Sequence, residues 1–172
     1  MLNLWRLKLS LMEYYIYLKL PSYLSQWLVH RHGGQSPIAF VRGSVESKML
    51  QRVTVKLPAG QLPQRQQPGE IAIIIPYSKT HDPRTYNYIT ETGKRCLMQL
   101  IKNAFDVEVW EFLHDFGRIG KKQKDLIYLF MEQNGIQETG SDWDAIAKIY
   151  QRLRNIYLTK LHRQQGRKNT NV

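Results

Sequence analysis

The sequence predicts an α+β protein: a small N-terminal sheet carrying one helix, followed by a C-terminal helical unit. Three observations predict it. Four short runs rich in aromatic and β-branched residues precede residue 76. From residue 92 onward, apolar residues recur at helical spacings of three and four. The runs are separated by stretches rich in Pro, Gly and Gln. A chain of 172 residues, 42% hydrophobic and 23% charged, can bury a core without staples.

Met1 to Leu11 mixes apolar and basic residues, is too short for a membrane span and lacks a signal-peptide cleavage site. It reads as an extension ahead of a natural start at Met12, as a flexible lead, or as an ordinary first element. Glu13 to Leu20 (EYYIYLKL) reads as a strand that Pro21 stops. Ser22 is an expected N-cap for a helix carrying Tyr23, Leu24, Trp27 and Leu28, closed by Gly33-Gly34. Pro37 to Arg42 reads as a second strand, and Arg52 to Leu57 as a half-buried third. Pro58 to Gly69 is an expected mobile loop, and Ile71 to Ile75 an apolar strand central in the sheet. Pro76 to Thr92 is a polar connector turning at Asp82-Pro83. Residues 12–91 thus form the sheet unit.

Residues 92–163 form the helical unit. Cys96, Leu97, Leu100, Ile101 and Ala104 share one helix face, with Cys96 expected as a buried thiol. Asp106 is the expected cap of a second helix carrying Val109, Trp110, Leu113 and Phe116, and Gly117 and Gly120 bracket a turn. Lys121 to Asn134 is a third helix with Leu126, Ile127 and Phe130 inward and Gly135 as C-cap. Ser141 with Asp144 has capping-box spacing and opens the last helix, 142–162. Residues 164–172 are expected to be a basic, disordered tail.

Charge points to the partner. Lys plus Arg number 25 against 14 acids, a net charge of +11, which favours an anionic partner, nucleic acid foremost. The charge is uneven: Ala145 to Val172 holds seven basic residues and no acid. One cysteine excludes an intramolecular disulfide and a cysteine-ligated metal framework, and no cofactor or metal is expected. No apolar run reaches the roughly 18 residues of a membrane span, so no membrane partner is expected and the cytoplasm is the expected location.

The last helix carries the functional expectation. Trp143, Ile146, Tyr150, Leu153 and Tyr157 recur at helical spacing, and Ile149 and Ile156 widen the stripe. At about 100° per residue the opposite face holds Lys148, Gln151, Arg152, Asn155 and Thr159, with Arg154 and Lys160 at its edges. Arg and Lys can donate to guanine, and Asn and Gln can pair bidentately with adenine, so these residues and spacings suit a major groove. Lys121, Lys122 and Lys124 at the preceding helix start, with Lys160 and Arg163, are the expected phosphate contacts.

The basic start of Lys121–Asn134, its LIYLF segment and the closing AIAKIYQRLRNIY resemble the helix-turn-helix regions of small phage and mobile-element regulators. The resemblance covers about 45 residues and implies a non-catalytic regulator or accessory factor that reads duplex DNA. The linker Gly135 to Ser141 is longer than the usual turn of that motif, so a looser tri-helical or winged arrangement is equally compatible. The N-terminal unit is expected to support assembly or a homodimer. Two alternatives stay open. One is an RNA or single-strand binder stacking bases on Tyr14, Tyr15, Tyr17, Tyr86 and Tyr88. The other is an interaction protein docking an acidic partner on the basic helix.

The residues do not assemble a catalytic set. His30-Arg31-His32 with Tyr86 and Tyr88 shares residue types with relaxases and rolling-circle nucleases, which pair two metal-holding histidines with a nucleophilic tyrosine. Their histidines flank a hydrophobic residue on a strand; here the middle residue is Arg and the pair ends an expected helix, where such neighbours diverge by about 200°. An extended conformation at 30–32 would revive the nuclease reading.

Overall fold

The computed structural model describes residues 13–116 and 120–169. Met1 to Leu11 and Gly117 lie outside them. The described residues form five helices and two antiparallel two-stranded sheets, the α+β mixture the sequence predicts. They fall into two compact units, one comprising residues up to Pro21 with Leu28–Ile101, the other Ser22–Trp27 with Lys102 onward.

In the first unit, β1 (Tyr15–Lys19) pairs antiparallel with β3 (Glu70–Ile74), Tyr15 opposite Ile74 and Lys19 opposite Glu70. Strand alternation buries Ile16 and Leu18 completely and leaves Tyr15 and Tyr17 half-buried on the other face. The other edge of β3 takes Ile38: the Ile38 amide donates to Ala72 O at 2.8 Å, and the Ile74 amide donates to Ile38 O at 2.8 Å. β3 is therefore central, as its apolar run predicts.

The expected strand Pro37–Arg42 shrinks to that single bridge. Pro37 has no N–H to contribute, and the chain already turns between Val41 and Ser44, where Gly43 adopts a φ of 85°. The expected strand Arg52–Leu57 is also corrected. α2 (Val45–Val53) takes up Arg52 and Val53, and only β2 (Thr54–Val55) pairs, with β4 (Tyr88–Ile89). The cause is a cap: the Ser47 amide donates to Ser44 Oγ at 3.1 Å, with Glu46 in the first turn. Residues 58–69 contain no helix or strand, and Gln64 Nε2 ties this loop to Ile89 O at 3.1 Å.

α1 (Ser22–Arg31) ends as expected, with Gly33 and Gly34 both at positive φ, but Pro21 rather than Ser22 takes its cap position. α3 (Glu91–Phe116) is one continuous helix of 26 residues, so Asp106 is not a cap. No Gly or Pro interrupts residues 94–116, and the buried stripe Leu97, Ile101, Phe105, Val109, Leu113 steps by four straight through Asp106. Cys96 lies one position off this stripe and is exposed, not buried.

The second unit is built on Ser22–Trp27 of α1, the part of α3 from Lys102 onward, α4 (Gln123–Gln133) and α5 (Gly140–Asn169). Its core centres on Phe105, whose ring meets Tyr23, Trp27 and Phe130 at 5.2, 5.3 and 5.8 Å. Gly135, at φ 64°, ends α4, and the Ile136 amide returns to Met131 O at 2.9 Å. The cap of α5 is Thr139, not Ser141: the Asp142 amide donates to Thr139 Oγ1 at 3.2 Å, two residues earlier than the sequence suggests. Gln26 stabilises that linker, donating to Asp142 Oδ2 at 3.3 Å and accepting from the Gln137 amide at 2.8 Å. α5 runs on to Asn169, so the first residues of the expected tail are helical.

Candidate nucleic-acid interface

α5 has 30 residues and is about 45 Å long at 1.5 Å per residue. Its first half docks on the core through Ile146, Ala147 and Ile149. Burial then fades along the stripe. Tyr150 and Leu153 are half-buried, and every residue from Arg154 to Lys160 is exposed. The helical period therefore sets the inward face, and the core covers only the first half of it.

The polar face expected from the sequence is a solvent face. Lys148, Gln151, Arg152, Asn155, Thr159, Lys160 and Arg163 are all exposed, as are Lys121, Lys122 and Lys124 beside the start of α4. Lys122 occupies the cap position of α4 without a side-chain cap bond, so the positive end of that helix lies among these lysines.

Two members of the face are engaged within the molecule. Arg152 Nη2 donates to Asp106 Oδ2 at 2.6 Å, with the Asp106 side chain only 15% exposed. Thr159 Oγ1 donates to Asn155 O at 2.8 Å, the usual backbone bond of a mid-helix threonine. Asp106 is the residue that sequence reasoning missed. It sits 46 residues from Arg152, and no local pattern signals the pair. Burial and the Asp106 carboxylate together hold the nearby Tyr23 phenol above its usual range, and Arg152 works against that shift.

Beside the ion pair, a groove of about 260 Å³ runs between α3 and α5, lined by Val107, Trp110, Leu153, Ile156, Tyr157 and Lys160. Trp110 stacks on His114 at 4.3 Å and meets Tyr157 at 5.3 Å, so the exposed end of the apolar stripe is ordered by ring packing.

The other candidate residues are placed as follows. His30 and Arg31 form the last turn of α1 and His32 its C-cap, so the strand geometry that the nuclease reading needs is absent at this segment. The His32 ring packs edge-on against Phe40 at 5.2 Å, and burial pushes its imidazole below the usual value. Of the tyrosines considered for stacking, Tyr15 donates to Glu13 at 2.7 Å, and Tyr86 has His81 at 4.6 Å and the Lys56 ammonium over its ring. Tyr14, Tyr17 and Tyr88 are half-buried. Among the described residues no cluster of three or more metal-ligating side chains occurs, and no helix is long and apolar enough to cross a membrane. Compared with protein-family models, curated proteins and solved structures, the chain finds no match in any of the three.

Proposed function

We propose that the protein binds nucleic acid, duplex DNA in preference, through α5, and acts as a non-catalytic regulator or accessory factor of a phage or mobile element. The observation that carries this reading is the exposed stretch from Lys148 to Arg163, in which α5 places no acid; Asp144, exposed one turn earlier, and Asp106, paired with Arg152, are the acids that border it. A merely solvated face mixes its signs. A cationic strip along one helix instead matches the spacing of groove edges and flanking phosphates. The exposed lysines at the α4 start add charge that neutralises phosphates without reading sequence.

The test is a titration of duplex DNA and of single strands of equal length over a salt series. Four neutralised phosphates give a slope of about −3.6 in log K against log salt. Gln151→Ala and Asn155→Ala should relax base preference by about 1–3 kcal/mol without changing that slope. Failure to bind either nucleic acid at low salt refutes the reading. A second reading, the docking of an acidic protein partner, draws on the exposed Val107, Ile156 and Tyr157 beside Lys160. It expects no duplex binding at any salt.

A further inference from the structure

We infer that a second cleft of the helical unit is a phosphate site. It measures about 290 Å³ and lies where the last turn of α3, the start of α4 and the middle of α5 meet. Leu113 and Leu126, 1% and 2% exposed, contribute apolar lining. The polar lining is His114, Lys121, Gln123, Tyr150 and Arg154. Each of these side chains can donate a hydrogen bond, and among the described residues no carboxylate lines the cleft.

Three features make the ligand an anion. First, Lys121 and Arg154 come from different elements to one cleft, and neither forms an ion pair with a described residue. Arg152, two residues from Arg154, is by contrast neutralised by Asp106. Like charges gathered without a counter-charge raise each other's energy, and a bound anion relieves this. Second, Gln123 is the first residue of α4, an 11-residue helix, so the cleft borders its positive end. Third, at about 290 Å³ the cleft falls just below the roughly 300–1,000 Å³ of drug-sized sites, so the anion it suits is a small one such as phosphate.

The source of the phosphate rests on the nucleic-acid reading above: a backbone phosphate of the bound strand. Arg154 lies about 120° around α5 from Lys148, off the base-facing strip and on the flank where a groove-bound helix meets a phosphate backbone.

The experiment uses isotope-labelled full-length protein titrated with inorganic phosphate at constant ionic strength, with chloride as reference. Phosphate should shift the amide signals of Gln123, Tyr150 and Arg154 saturably. Arg154→Gln and Lys121→Gln should each abolish or weaken the response several-fold, and Arg154→Lys should restore part of it. Lys79→Gln, an exposed lysine of the first unit, should change nothing. In duplex binding, Arg154→Gln should reduce the salt slope by about 0.9, and Lys79→Gln should leave it unchanged. If phosphate titrates the cleft but the protein binds no duplex, the site stands, its ligand is a free or small-molecule phosphate, and the nucleic-acid reading falls. If duplex binding is intact while phosphate leaves these amides unmoved, or moves Arg154→Gln as it moves the wild type, the phosphate site is overturned.

Discussion

Removing either end of the Arg152–Asp106 pair should have unequal effects on stability and opposite effects on DNA binding. The asymmetry follows from exposure: the Arg152 side chain is 47% exposed and that of Asp106 15%. An exposed pair contributes about 0.2–1 kcal/mol after solvent screening, so Asp106→Ala, which releases Arg152 into water, should cost less than about 1 kcal/mol. Arg152→Ala instead strands a mostly buried carboxylate. Its Oδ1 already lacks a partner, and its Oδ2 loses the 2.6 Å bond. Leaving such a group unpaired costs about 1–3 kcal/mol. At about 2–4 °C per kcal/mol for a chain of this size, Arg152→Ala should lower the melting midpoint by about 2–12 °C and Asp106→Ala by at most about 4 °C. The double variant, with no stranded charge, should regain stability relative to Arg152→Ala. Duplex affinity should fall in Arg152→Ala and rise in Asp106→Ala, which frees the guanidinium and removes an acid beside the face. Thermal melts and salt-controlled duplex titrations of the three variants decide this. Equal destabilisation by the two single variants would refute the stranded-carboxylate argument, and a fall in affinity for Asp106→Ala would refute the placement of this pair beside the nucleic-acid face.

Three further outcomes are expected. A Cβ at Gly93 would meet Ile89 Cγ1 at 3.0 Å and Val53 Cβ and O at 3.2 Å. Overpacking of about 1–3 kcal/mol should outweigh the roughly 1 kcal/mol of helix propensity gained, so Gly93→Ala should lower stability, and a raised melting midpoint would contradict the close approach. Thr139→Ala should cost about 1 kcal/mol through the lost cap while Ser141→Ala stays within about 0.5 kcal/mol, measured by denaturant unfolding; the reverse order would return the cap to Ser141. His32, held by burial below the ordinary histidine value of 6.5, takes up its proton more readily when unfolded. Its contribution is therefore full above 6.5 and is lost as pH falls from there toward the folded value. His32→Gln should flatten that acid-side loss in melts over this range, and an unchanged pH profile would exclude His32 as its source.

Much of the fold was legible because local physics writes it into local sequence. The alternation in β1, the apolar run of β3, the Gly33-Gly34 and Gly135 stops and the inward stripe of α5 each follow from a repeat period or a positive-φ requirement that one segment carries alone. α2 has a local signal in its Ser44 cap and Glu46, but its last residues, Arg52 and Val53, belong to a stretch whose polar–apolar alternation through Leu57 is that of a strand. The exposed basic face of α5 was legible for the same reason as its stripe: a helical period that fixes one face fixes the other.

What the sequence by itself determined is thus the α+β class, most element positions and the candidate face. The tertiary structure alone decided that Asp106 is a mid-helix counter-charge for Arg152 rather than a cap, and that Cys96 stands outside the buried stripe. It also decided that Arg154, an edge residue on the helical wheel, shares a cleft with Lys121 and His114. The physical reason is range. Periods and caps are settled within a turn or two of chain, whereas the partner of a single charge depends on which distant segment packs against it.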